Sequence, residues 1–156
     1  MKTICAVLGY VRANGKTLML YRNKKKNDVH EGKWNGLGGK LIAGETPEEG
    51  LRREIFEESG LTVGEIKFKG MITFPDFVVG ENWVVYLFNV MTFTGVLHKE
   101  CPEGDLHWIE DAKVVTLNLW EGDLLFWKWM QEKAFFSAKM EYKNGLLLRH
   151  EVAFYE

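Results

Sequence analysis

Glu54, Glu57 and Glu58 stand three and four residues apart within residues 39–61, GKLIAGETPEEGLRREIFEESGL. At about 100° per residue, that spacing spreads the three carboxylates over an arc roughly 100° wide, beside a face carrying Leu51 and Ile55. Like charges at i,i+3 and i,i+4 repel by about a few tenths of a kcal/mol in an isolated helix. The cluster therefore asks for a positive partner. Hard divalent cations prefer carboxylate oxygens, and magnesium keeps several waters while bridging one or two carboxylates to substrate phosphates. A site that handles phosphate groups fits that preference. On the glutamates alone, a solvated acidic helix face is the stronger reading.

The helix that would position these groups is signalled at both ends. Thr46 can serve as N-cap, Pro47 occupies the first helical position, where its missing N–H costs nothing, and Glu49 completes a T-x-x-E capping box. Gly60 supplies the left-handed residue that commonly closes a helix. Gly50, one turn before Glu54, leaves room for a ligand, and Gly38 and Gly39 permit close backbone approach.

Gly39, Glu45, Arg53, Glu54, Glu57, Glu58 and Gly60, with Ile55 and Leu61 aliphatic, fill the pattern G-x5-E-x7-R-E-U-x-E-E-x-G-U. Seven fixed identities at ordinary residue frequencies arise by chance in about one start position in 10⁸ or fewer. In this pattern the chain resembles the Nudix hydrolases. The resemblance implies an α/β/α sandwich around a mixed β-sheet. It implies that Glu54, Glu57 and Glu58 ligate divalent metal, Mg²⁺ with Mn²⁺ as a substitute, assisted by the backbone carbonyl of Gly38. Glu45 and Arg53 are expected to pair with each other or with the glutamates, an orienting role within the catalytic group.

Length and composition agree with one domain over residues 1–156, and 46% hydrophobic residues suffice for a substantial core. The opening MKTICAVLGYV lacks a basic region followed by a long apolar stretch and a cleavage site, and no apolar run approaches 18 residues. A cytoplasmic protein without membrane association is expected. A net charge of −2 argues against a nucleic-acid polymer as partner, because that affinity comes mainly from clustered Lys and Arg. A small nucleotide remains open, and a monomer is the plausible assembly. Cys5 and Cys101 are too few for a disulfide scaffold, and neither they nor the four histidines show zinc-ligand spacing.

Strands are predicted over residues 4–11 and 17–21, joined at Asn14-Gly15, a hairpin signal. Residues 67–74, 83–93 and 106–109 read as further strands, 123–133 as a second helix, and 139–142 with 146–149 as a closing hairpin.

Other segments resemble the MutT/MutX-type 8-oxo-dGTP diphosphatases within the family, and their mammalian oxidised-purine counterparts. Residues 32–40, GKWNGLGGK, carry Asn35 over as a base-reading side chain, since a carboxamide offers donor and acceptor to a purine edge. An Asn beside glycines is equally a turn former. Residues 119–123, LWEGD, give Trp120 as a stacking surface and Asp123 as a hydrogen-bond partner, although Asp123 could instead cap the following helix. The mammalian members carry two aspartates where this chain has Gly122-Asp123, so breadth of purine selectivity does not carry over. Phe74 and Trp83 align with pocket-lining positions, while aromatics in strands are usually core. Glu103 matches an additional metal-binding or catalytic glutamate, in a loop whose Pro102 and Gly104 also suit a plain polar turn.

The basic run Arg22, Lys24, Lys25 and Lys26 reads first as a solvated loop and second as a triphosphate attractor. The implied reaction is metal-assisted hydrolysis of a nucleoside triphosphate to monophosphate and pyrophosphate, with Glu54 or Glu103 accepting the water's proton. Rival readings are a Nudix enzyme for ADP-ribose, a dinucleoside polyphosphate or an undamaged nucleotide, and a domain that binds nucleotides without cleaving them.

Overall fold

A computed structural model describes residues 1–98 and 100–156. β1 (Lys2–Ala13) and β2 (Lys16–Arg22) form the first hairpin, whose turn residues Asn14 and Gly15 have φ of 52° and 74°. This double left-handed turn matches the strand twist. The short β3 (Trp34–Asn35) pairs with β2, and β4 (Leu37–Lys40) pairs antiparallel with β1, Leu8 opposite Gly38. α1 (Pro47–Ser59) follows, then β5 (Thr62–Val63) and the long β6 (Ile66–Val78) and β7 (Glu81–Val90). β8 (Phe93–Thr94) pairs with β5; β9 (Glu100–Cys101) and β10 (Gly104–Glu110) extend the main sheet beyond β2. After a short α2 (Asp111–Val114) and α3 (Glu121–Glu132), β11 (Phe135–Lys143) and β12 (Leu146–Tyr155) complete the other edge.

The main sheet runs β12-β11-β6-β7-β1-β2-β10-β9 and is mixed: β1 with β7 and β11 with β6 are parallel pairs, the rest antiparallel. Strand alternation sends side chains to two cores. Val7, Val11, Leu18, Leu20, Phe88 and Val90 meet Leu51 and Ile55 of α1. Tyr10, Met19 and Leu87 meet Phe126, Trp127 and Met130 of α3 on the opposite face. This is the expected sandwich with a helix layer on each side. Among the described residues, no helix is long and apolar enough to cross a membrane.

α1 has the caps its sequence specifies. Thr46 Oγ1 accepts from the Glu49 N–H at 3.1 Å, the Glu49 carboxylate accepts from the Thr46 N–H at 2.9 Å, and Gly60 closes the helix at φ 80°. The helix sits close to β1 because Gly9 lacks a Cβ: one there would lie 2.7 Å from Leu51 Cδ1 and 3.2 Å from Ile55 Cδ1.

Three expectations need correction. Gly50 does not leave room for a ligand, because the Leu41 side chain fills that space. The second helix begins at Glu121, two residues early, and the strand expected to reach residue 93 stops at Val90 before resuming as β8. Gly38 and Gly39, expected to permit close backbone approach, lie in β4 paired with β1. A Gly9→Val substitution is expected to push α1 off β1, lowering stability by about 1–3 kcal/mol in urea unfolding; an unchanged midpoint would contradict this packing.

Candidate active site

α1 and β4 bring the acidic group together. Glu58 is buried at 7% exposure, and its Oε1 accepts the Gly38 N–H at 2.8 Å. Burial, followed by the charges of Glu54 and Glu103, raises the Glu58 carboxyl well above its ordinary range. Glu54 lies over Gly39, where a Cβ would come within 2.7 Å of the Glu54 carboxyl carbon. Gly39 thus makes room for a carboxylate against the strand. Glu57 is exposed on the outer side of the helix.

Arg53 ties this group to the preceding loop. Its Nε and Nη2 donate to the two Glu45 oxygens at 2.6 and 2.9 Å, a bidentate pair. Nη1 donates to Glu54 Oε1 at 2.9 Å and Glu57 Oε2 at 3.3 Å, and Nη2 also reaches the Lys40 carbonyl. The Arg53 hydrogen bonds hold the Glu45 carboxyl down at about 2. The expected pairing of Glu45 with Arg53 is therefore present. Glu103 lies in the β9–β10 turn, where its Oε2 accepts from the Cys101 thiol at 3.3 Å; burial raises that thiol to about 11, so it stays protonated.

Among the described residues, no three Asp, Glu, His or Cys side chains converge around a common point as they stand. The donor chemistry still fits a hard divalent cation. Glu54, Glu58 and Glu103 are all oxygen donors bordering one cavity, and Glu58 is buried beside two like charges.

That cavity, about 710 Å³, runs from the carboxylates to an aromatic end. Phe74, Phe77, Trp120 and Tyr142 form the aromatic end, with Phe77 and Tyr142 edge-on to Trp120 at 5.3 and 5.4 Å. Asn35 lines the cavity from β3, so it is not a turn residue; its buried Oδ1 has no partner among the described residues. Asp123 sits in the first turn of α3 rather than capping it, since Trp120 is the N-cap. It is 7% exposed, and burial lifts its carboxyl to about 8 against the opposing charge of Lys33. Trp83 also borders the cavity, under Lys40 at 5.5 Å. From the basic run, Arg22 and Lys25 reach the lining, with Arg22 held by Asp28 at 2.6 Å.

Sequence reading missed Phe77, Tyr142 and His30. Phe77 follows Asp76, whose φ is 50°, inside a register shift of β6, and such bulges re-aim side chains. Tyr142 accepts the Gly122 N–H at 2.7 Å, and a Cβ on Gly122 would lie 2.6 Å from its hydroxyl. Glycine at 122 is thus the partner of Tyr142, a pairing no local pattern announces.

A NUDIX domain model matches residues 3–145. The chain belongs to the Nudix hydrolase family. It is 33% identical to the oxidized purine nucleoside triphosphate hydrolase of Danio rerio over 82% of each chain. Against the Mus musculus protein of the same name, identity is 31% over 77% of this chain and 76% of that one. The crystal structure of the mutator protein MutT from Bacillus halodurans superposes with a TM-score of 0.84, covering 96% of this chain and 97% of that one at 25% identity. Nudix hydrolases generally use divalent metal ions and act on small nucleotide substrates.

The Asp123 shift has a testable sign. Its folded-state value of about 8 exceeds an unfolded-state value near 4, so between those limits the native protein holds a proton that the unfolded chain has lost. Stability from this group therefore falls as pH rises from about 4 to about 8 and is level above. Asp123→Asn, neutral throughout, is expected to be more stable than the parent in urea at pH 8, by a margin that shrinks at pH 5. A margin independent of pH would contradict the assignment.

Proposed function

We propose that this Nudix hydrolase is a Mg²⁺-dependent nucleoside triphosphate pyrophosphohydrolase acting on oxidised purine nucleotides such as 8-oxo-dGTP, releasing the monophosphate and pyrophosphate. The observation that carries the reading is one cavity joining a carboxylate end to an aromatic end, lined also by the Asn35 oxygen, which has no partner among the described residues. The names of the curated relatives point the same way.

Glu54, Glu58 and Glu103, with the Gly38 carbonyl and Glu57 from the exposed side of α1, would hold the divalent ion, which when bound would neutralise phosphate oxygens and acidify a bound water. Arg53 keeps Glu54 aimed along the strand by pulling it against Glu45. Glu54 and Glu103 both border the cavity and are the carboxylates able to accept the water's proton. Arg22 and Lys25 add positive charge for the triphosphate on the same lining.

At the other end, Trp120 offers its ring for stacking, and Phe74 and Trp83 wall the pocket. Asn35 Oδ1 accepts from a ring or exocyclic N–H. Asp123, protonated at neutral pH, donates to a purine oxygen and accepts with its other oxygen. A base carrying both carbonyl and N–H groups on its edges satisfies both. Removal of mutagenic nucleotides before DNA synthesis in the cytoplasm would be the biological consequence.

In a panel of 8-oxo-dGTP, dGTP, ADP-ribose and a dinucleoside polyphosphate with Mg²⁺, the oxidised nucleotide is expected to give the highest kcat/KM, with monophosphate and pyrophosphate as products. Preference for ADP-ribose would overturn the substrate. Glu58→Gln is expected to lower kcat by roughly 10²-fold or more by removing a ligand charge, while Asn35→Ala should cut discrimination between purine triphosphates about tenfold and leave kcat largely intact. Unchanged turnover in the first, or unchanged selectivity in the second, would contradict the respective role.

A further inference from the structure

Trp120 has one polar atom, the indole N–H, which can only donate. The ring is 8% exposed, so that donor needs a protein acceptor, and it finds one: Nε1 donates to His30 Nδ1 at 2.8 Å. The aromatic neighbours Phe77 and Tyr142 touch the indole edge-on and give it apolar contact. The His30 bond alone is directional, so it selects which edge of the indole faces the loop and at what tilt.

His30 is built to accept. Burial, then the charge of Arg22, lowers its imidazole to about 4 against the opposing charge of Asp28, so the ring is neutral near pH 7 and its Nδ1 lone pair is open. Two further contacts hold the residue. Its own N–H donates to Asp28 Oδ1 at 3.3 Å, while Asp28 Oδ2 is gripped by Arg22 at 2.6 and 3.0 Å. Its ring stacks on Phe77 at 6.2 Å with 23° between planes.

The surrounding segments are laced together: Gly32 N–H to Arg22 carbonyl at 2.7 Å, Asn118 Nδ2 to Gly32 carbonyl at 2.9 Å, and Trp34 N–H to Asn118 carbonyl at 3.0 Å. Lys33 Nζ reaches the Leu119 carbonyl and lies 5.2 Å from the Trp120 ring centre. The 23–33 loop therefore braces the Trp120 wall at several points, and the His30 bond is the one made to the indole N–H itself.

Resting on the proposed base recognition, we infer that His30 is a positioning residue for base binding: by accepting the Trp120 N–H it sets the angle of the ring on which the base stacks. Its effect belongs to affinity for the base and leaves the phosphate chemistry to the carboxylates at the far end of the cavity.

The test is a double-mutant cycle read by calorimetric binding of 8-oxo-dGMP and by steady-state kinetics with 8-oxo-dGTP. His30→Ala is expected to weaken 8-oxo-dGMP binding and raise KM about 5- to 20-fold while kcat changes less than about twofold. His30→Gln, whose amide oxygen can accept the same N–H, should recover most of the loss. In a Trp120→Phe background, which has no N–H to anchor, His30→Ala should cost little more. Equal losses in both backgrounds, or a fall in kcat at unchanged KM, would overturn the inference while leaving the functional reading intact. Failure of the unsubstituted protein to bind 8-oxo-dGMP would instead defeat the functional reading and this inference with it.

Discussion

The site depends on how closely α1 lies against β1 and β4. Leu51 and Ile55 drop onto Gly9, and that contact fixes the neighbouring arc of the helix against Gly38 and Gly39. Burying two aliphatic side chains stabilises by about 1.5–3 kcal/mol each, enough to hold carboxylates that would otherwise move apart. The helix cannot relax outward without opening the core. Glu58 accordingly remains buried on a backbone N–H, and Glu54 remains over a residue with no side chain. A protein that tolerates this crowding gains a cluster whose natural complement is a cation.

Charge balance is handled locally and incompletely. Arg53 answers three glutamates at once, while the positive charge felt by Glu58 comes from Arg22, itself held by Asp28. The two ends of the cavity follow opposite electrostatic logic. One gathers carboxylates; the other keeps Asp123 protonated and His30 uncharged, leaving hydrogen-bonding groups and rings to offer a ligand. On the proposed reading, phosphate chemistry and base reading would occupy one cavity without sharing groups.

What the sequence disclosed was what is local. The ends of α1 are written in Thr46, Pro47, Glu49 and Gly60, and the first turn in Asn14-Gly15, because caps and tight turns involve residues within a few positions of each other. The acidic pattern and the Glu45–Arg53 pair were legible for the same reason. β4 was not, since Gly38 and Gly39 are poor strand formers and are extended only through pairing with β1. Gly50 misled because the Leu41 side chain arrives from outside the helix. Phe77, Tyr142 and His30 come from a bulge, a distant strand and a loop; only tertiary packing brings them to Trp120.

The most direct measurement is anomalous scattering from crystals grown with Mn²⁺ and a non-hydrolysable purine triphosphate. Manganese is expected between the carboxylates of Glu54, Glu58 and Glu103, against the nucleotide's phosphates, with the base held among Trp120, Asn35 and Asp123. Manganese elsewhere, or a nucleotide bound outside this cavity, would contradict the account at its root.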